Sequence, residues 1–351
     1  MRASTRTGSP AAEKNVPPKA SNLALQGGGA HGAFTWGVLD ALLEDGRVAI
    51  PAISGASAGA MNAVVLAEGF VTRGRDGARE YLHRFWLSVS EEGALSPVQR
   101  KLFDSWFAAV GLGAPMKFWM DALTHYSSPY EFNPLNLNPL RDHLAKMVDF
   151  DKLRATDDLK LFIAATNVHT GRGRIFHREE LTADHVMASA CLPTLFQAVV
   201  IDGEPYWDGG YVGNPPLWPL FYDNACNDTI IVQINPIERD TTPRTALEIQ
   251  NRLNEITFNG AMLGEFRAIN FVTRLVDQGA LSGKGYIRTN LHRIEGADKL
   301  KAFSADTKSN TSWAFLTMLR DIGRAAAKEW LEANFDAIGV RGTMDIKSKL
   351  A

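Results

Sequence analysis

Near the start of the chain, twice in close succession, an apolar run ends in a glycine turn and gives way to a helical pattern. Leu23-Ala24-Leu25 enters Gly27-Gly28-Gly29-Ala30-His31-Gly32, after which Phe34, Val38, Leu39, Leu42 and Leu43 recur at helical spacing. Val48 to Ser54 then reads as a second strand, ending in Gly55-Ala56-Ser57-Ala58-Gly59, and Ala60 to Glu68 is rich in helix formers. Strand, turn, helix and strand within about thirty residues make a βαβ unit. Its two strands must run parallel, which puts both glycine turns at the same edge of the sheet. The chain is therefore read as α/β.

The remaining pattern fills in around that unit. Residues 73–150 give no strong strand signal but carry Phe85, Trp86, Trp106, Phe107, Phe118, Trp119 and Met120. They read as helices and loops inserted after the second turn, and such residues form plain core more often than an acyl channel or lid. Strands resume at Leu161 to Ala164 and Arg174 to His177, and a helix over 183–191 stops before Pro193. Phe196 to Ile201, the Asp202-Gly203 turn and Glu204 to Trp207 read as a hairpin that delivers Asp208-Gly209-Gly210. A strand at Thr229 to Ile234 is followed by a long helix over 244–278, opening after Thr242-Pro243. A last strand near 286–294 precedes a helix over 311–336. No internal repeat is present.

With 351 residues, the chain has length for one large α/β domain, and no Pro/Gly/Ser-rich linker divides residues 22–338. The expected organisation is a disordered leader over 1–21, one domain over 22–338 and a tail over 339–351. The site motifs fall in 22–235 and a helical part in 240–338. The leader lacks the apolar run of a signal-peptide core, and no stretch approaches the roughly 20 apolar residues of a membrane span. A formal net charge of −2 gives no global attraction to nucleic acid. The two cysteines, Cys191 and Cys226, are too few for a disulfide framework and read as buried reduced thiols. The expected location is the cytoplasm, with peripheral contact to a membrane allowed.

Gly55-Ala56-Ser57-Ala58-Gly59 matches the G-x-S-x-G nucleophile elbow, in which a serine sits on a sharp strand-to-helix turn with its hydroxyl exposed. The helix that starts there turns its positive end toward the serine, favouring negative charge developing in attack. The plainer reading is a small-residue turn with an incidental serine. The first glycine turn has three readings. It fits a dinucleotide site, or an oxyanion hole formed by the N–H groups of Gly28, Gly29 and Ala30, or a simple tight turn. The dinucleotide reading expects an acid at the end of the second strand to hold the ribose, and Ala52-Ile53-Ser54 offers none. A serine also needs a base. The most marked carboxylate is Asp208, fixed by Gly209-Gly210, although a turn aspartate is the commoner role. Asp202 reads as the hairpin tip. Among the eight histidines only His292 follows Asp208, and it lies in a strand-like stretch rather than in the loop that a Ser-Asp-His triad needs.

Taken in order, the glycine turn, the elbow and the distant Asp208-Gly209-Gly210 resemble the patatin-like phospholipase family, with the look of a bacterial member. The stretches Ala188-Ser189-Ala190-Cys191-Leu192-Pro193 and Asn214-Pro215-Pro216 add to the likeness, which covers residues 22–235. The resemblance implies a three-layer α/β/α fold of the FabD/lysophospholipase type with a mostly parallel central sheet. It also implies a Ser57 and Asp208 dyad, with Gly27, Gly32, Gly55, Gly59, Gly209 and Gly210 shaping its turns. The implied substrate is a lipid or other acyl ester, met at a membrane or lipid surface, with no cofactor and no metal. Gln26 and His31 depart from the pattern, because many relatives carry an acid before the glycines and arginine or lysine at the position of His31. A charge near the oxyanion would then depend on protonation of His31.

Overall fold

The fold grows from the alternation within its short central strands. The computed structural model describes residues 17–90, 128–222, 226–296, 299–300, 303, 307–308 and 310–346. Strand β1 (Lys19–Ala20) is followed by β2 (Asn22–Leu25), helix α1 (Gly32–Asp45), β3 (Val48–Ala49), β4 (Ala52–Gly55) and helix α2 (Ala58–Val89). Strands β2 and β4 pair in parallel with Leu25 opposite Gly55, as a βαβ unit requires. Short helices α3 (Pro129–Phe132), α4 (Pro139–Met147) and α5 (Phe150–Arg154) lead to β5 (Lys160–Asn167) and β6 (Gly173–His177). Then come α6 (Ala183–Ser189), β7 (Val199–Ile201), β8 (Glu204–Asp208), α7 (Trp218–Tyr222) and β9 (Asp228–Gln233). Helix α8 (Ala246–Asp277), β10 (Asn290–Glu295) and α9 (Trp313–Asn334) complete the order.

The main sheet runs β10-β9-β2-β4-β5-β8-β7, with β6 also on β5. Its first five strands are mutually parallel, and β6, β7 and β8 form the antiparallel end. Leu23, Leu25, Ile53, Ile163 and Val232 pack to one side with α1, α2 and α9. Ala24, Ala52, Phe162, Ala164 and Ile231 face the other side, under Met262, Phe266 and Ile269 of α8. Period-two alternation in strands buried on both faces thus produces three layers. Helix α1, between the sheet and α9, is buried almost all round and carries almost no polar face.

Several boundaries differ from the sequence reading. Residues 17–21, assigned to the leader, are structured, and Lys19–Ala20 pairs in parallel with Val48–Ala49. The helix after the elbow continues to Val89, with a kink at Arg73 and Gly74 where the backbone leaves helical values. The long C-terminal helix opens at Ala246, because Thr245 caps the Glu248 N–H and Glu248 returns to the Thr245 N–H, leaving Pro243 outside. The last strand begins at Asn290. The expected tail is tied down through 339–346, where Gly339 donates to Asp228 and Thr343 to the Leu291 carbonyl. Cys191 is buried but Cys226 is only half-buried, and both are free thiols. Trp106, Phe107, Phe118, Trp119 and Met120 lie outside the described residues.

Candidate active site

Strand register brings the sequence motifs to one level. Gly55 of β4 lies opposite Ile163 of β5, so Ser57, two residues on, is level with Ala165. Ala165 in turn pairs with Asp208 across the antiparallel β5–β8 ladder. Leu25 lies opposite Gly55, which sets Gly27 at the same height on the other flank. A Cβ on Gly27 would stand 2.7 Å from the Cβ of Ser57, so only glycine lets the two turns meet. A Cβ on Gly59 would meet the Leu25 carbonyl closer still, at 2.2 Å. The chain therefore leaves β4 by a turn that no larger residue permits.

Ser57 sits in that turn at φ 53° and ψ −123°, a backbone strain of order 1–3 kcal/mol for a non-glycine residue. The Ser189 carbonyl and hydroxyl hold it there, accepting from the Ser57 N–H at 3.2 and 3.0 Å. Half-buried Ser57 is the N-cap of α2, yet its side chain makes no cap hydrogen bond. Its side chain instead acts on Asp208, whose pKa it draws down. Asp208 is 1% exposed. Its N–H donates to the Cys191 carbonyl at 2.8 Å, its carbonyl accepts from the Thr166 hydroxyl at 2.7 Å, and its Oδ1 accepts from the Gly210 N–H at 2.7 Å. Burial pushes the Asp208 carboxyl up to about 7, against the opposing pull of the Gly210 N–H and the Ser57 hydroxyl. An ordinary aspartate is a poor base, and this one is raised to near neutral pH.

The first glycine turn is locked from behind. The Gly27 N–H donates to Asn214 Oδ1 at 2.6 Å, and Asn235 Nδ2 donates to the Gly27 carbonyl at 2.9 Å. Gln26, fully buried, accepts from the N–H groups of Ile234 and Asn235, both at 2.8 Å, and donates to the Asn214 carbonyl at 3.0 Å. An acid at position 26 would lack that donor. Among the described residues, the N–H groups of Gly28, Gly29 and Ala30 have no acceptor outside the turn. His31 bonds Thr307 Oγ1 at 2.8 Å and packs against Phe303 and Phe315. Burial, aided by Lys308 and Arg239, lowers its pKa to about 3, so the ring is neutral at ordinary pH. His31 therefore contributes no charge to the turn.

The Patatin-like phospholipase family model matches residues 23–221. The chain belongs to this family. Within curated proteins it is similar to Lysophospholipase NTE1 of Cryptococcus neoformans, 28% identical over 222 residues. That match takes in 63% of this chain but only 12% of the fungal protein's length, so the likeness concerns one segment of a much longer relative. Among solved structures it resembles VipD from Legionella pneumophila, with 17% identity and a TM-score of 0.45 over 90% of this chain and 67% of that one. Full-length ExoU of Pseudomonas aeruginosa, in complex with SpcU, aligns at 17% identity and a TM-score of 0.31, covering 95% of this chain and 77% of that chain.

In this family member the histidine of the rival triad is far from the elbow. His292 on β10 is opposite Ile230, and through it level with Leu23 and Ile53. Three strand spacings and four residues separate it from Ser57, about 14 Å sideways and about 13 Å back. Its Nε2 bonds Asp228 Oδ1 at 2.9 Å and its Nδ1 bonds Thr343 Oγ1 at 3.0 Å. Asp202 stands at φ 51° in the hairpin tip, followed by Gly203 at φ 83°, the signature of a type I′ turn. Beside the elbow a narrow apolar slot of about 10 Å³ is lined by Gly29, Ala58, Met61, Phe85, Trp86, Val89 and Leu140. The aromatic pair Phe85 and Trp86 thus serves core and slot together. Ser189, Asn214 and Asn235 went unassigned in the sequence reading. Ser189 and Asn214 lie in the two family-like stretches, and Asn235 directly follows the β9 apolar run.

Proposed function

We propose that this chain is a lipid acyl-hydrolase that cleaves carboxylic esters through Ser57 and Asp208 by way of an acyl-serine. The observation that carries the reading is the strand register that sets Ser57, held at positive φ, level with the buried Asp208. Ser57 Oγ bonds to the ester carbonyl carbon as its proton passes to Asp208. The carbonyl oxygen gathers negative charge facing the N–H groups of Gly28, Gly29 and Ala30 and the start of α2. As the ester C–O bond breaks, Asp208 returns the proton to the leaving alcohol. Water then attacks the acyl-serine, giving its proton to Asp208, and Ser57 regains a proton as the fatty acid leaves.

The fungal relative's name makes a lysophospholipid the first substrate to assay, alongside phospholipid, glyceride and polyester. No helix among the described residues is long and apolar enough to cross a membrane. Fluorophosphonate treatment followed by peptide mass spectrometry should place the adduct on Ser57, and Ser57→Ala should lose both labelling and turnover across the lipid panel. An adduct on another residue, or undiminished hydrolysis by Ser57→Ala, rules the dyad out.

A further inference from the structure

We propose that Lys308 is a positioning residue for the oxyanion turn: its ammonium orients the Asn235 side-chain amide, which fixes the Gly27–Gly28 peptide and so aims the Gly28 N–H. The proposal rests on the reading of Gly28 as an oxyanion donor.

Lys308 comes from the part of the chain beyond the matched family segment, and it is 8% exposed. Its Nζ donates to Asn235 Oδ1 at 2.7 Å, the one hydrogen bond its ammonium makes among the described residues. A carboxamide has one accepting end and one donating end, and an ammonium can only donate. Facing Lys308 with Oδ1 therefore commits Asn235 to present Nδ2 to the Gly27 carbonyl, where it sits at 2.9 Å. In a trans peptide the C=O and the following N–H point in opposite directions. Holding the Gly27 carbonyl backward thus aims the Gly28 N–H forward. Asn214 adds a weaker contact to the same carbonyl at 3.4 Å and secures the preceding peptide through the Gly27 N–H.

The charges around Lys308 fit a built position. Glu255 on α8 attracts it, Arg239 repels it, and Glu255 is already paired with Arg239 and Arg252. His31, the other titratable group of the turn, is neutral. Burying an ammonium with one hydrogen bond and, among the described residues, no carboxylate in contact costs stability. Burial lowers the Lys308 pKa to about 8, with Glu255 opposing and Arg239 adding to the fall. Above that pH the amine loses its charge, and its hydrogen bond to Asn235 Oδ1 loses its charge assistance and holds the amide less firmly.

The test compares wild type, Lys308→Met and Lys308→Arg on a water-soluble ester, with rates normalised to fluorophosphonate-titrated sites. Lys308→Met should lower kcat by about 10- to 10²-fold, less than loss of a whole oxyanion donor. KM should stay within about twofold. Wild-type kcat should fall as pH rises through about 8. Lys308→Arg should restore most of the rate and move that limb upward, because a guanidinium stays charged. A merely structural lysine would change the titrated fraction and leave kcat per site and its alkaline limb alone. Normal kcat per site in Lys308→Met overturns the proposal. If that variant does not fold, a wild-type profile without the limb, or a limb unmoved in Lys308→Arg, overturns it. Gly29→Val separates this from the parent reading. Normal turnover in folded Gly29→Val removes the oxyanion assignment itself, whereas an inactive Gly29→Val beside a normal Lys308→Met removes Lys308 alone.

Discussion

Asp208 and Asp228 are both buried in the same sheet, and their neighbours drive them in opposite directions. Asp208 is level with Ser57, while Asp228 precedes the Thr229–Asn22 pair, so about six residue steps, or about 20 Å, separate them along the strands. Burial opposes ionisation of each. At Asp228 the hydrogen bonds from His292, the Gly339 N–H and Asn290 outweigh it and hold the carboxyl below the ordinary range. At Asp208 the Gly210 N–H and Ser57 do not, and the carboxyl rises to about 7. One aspartate is satisfied and serves as a clamp between β9, β10 and the chain's end. The other is left short of donors, which suits the proton-accepting role proposed for it.

Exchanging each carboxyl for an amide breaks the comparison most sharply. Asp208→Asn keeps shape and the Gly210 contact but cannot take a proton, so kcat should fall by about 10²- to 10⁴-fold. Asp228→Asn should leave kcat within about threefold. Steady-state ester hydrolysis by both purified variants checks this, and an active Asp208→Asn would sink the assignment of the base.

His292 sharpens the same contrast. His292→Ala strips the clamp of its donor to Asp228, buried in the sheet, and of its contact with half-buried Thr343 of the C-terminal segment. Removing one partner of a buried polar pair should cost about 2–4 kcal/mol in chemical denaturation. Turnover per folded molecule should stay within about threefold at 20 °C. A stable but inactive His292→Ala would instead revive a histidine-based mechanism.

How far the sequence discloses this arrangement follows from the range of the interactions involved. The βαβ unit, the elbow and Asp208 rest on local patterns, glycines and apolar alternation, which report backbone geometry directly. Strand register then does the assembly, placing Ala165 between Ser57 and Asp208 without any marked residue of its own. The supports are harder to see. Gln26 stands out only as a departure from a family pattern, and its four-way bonding depends on Asn214, Ile234, Asn235 and Asn259, all distant in sequence. Lys308 has no local signature, since a lone lysine reads as solvated surface. His292 was legible only in part. Its strand-like setting argued against a catalytic loop, but its bond to Asp228 needed the parallel β9–β10 pairing to appear.

The last effect is one of stability, and it carries the sign of each pKa shift. Asp208 has an ordinary value of 3.8 and a folded value of about 7. Below the ordinary value both states hold the proton and nothing is lost. Between the two values the folded chain keeps a proton that the unfolded chain releases, so stability falls as pH rises, by up to about 1.4 kcal/mol per pH unit. The loss is complete above pH 7, at no more than about 4 kcal/mol. Asp208→Asn has no charge to bury, so it should melt several degrees above wild type at pH 8.5 and close to it at pH 4. For Asp228 the sign reverses. Its lowered value adds stability that is present above the ordinary carboxylate pKa and lost as pH falls through the folded one. Asp228→Asn should therefore melt below wild type at pH 8.5, with the gap closing in acid. Melting curves of the three proteins at both pH values decide it. Gaps of the same sign for both variants, or gaps that do not change with pH, would mean that the two aspartates are not opposites.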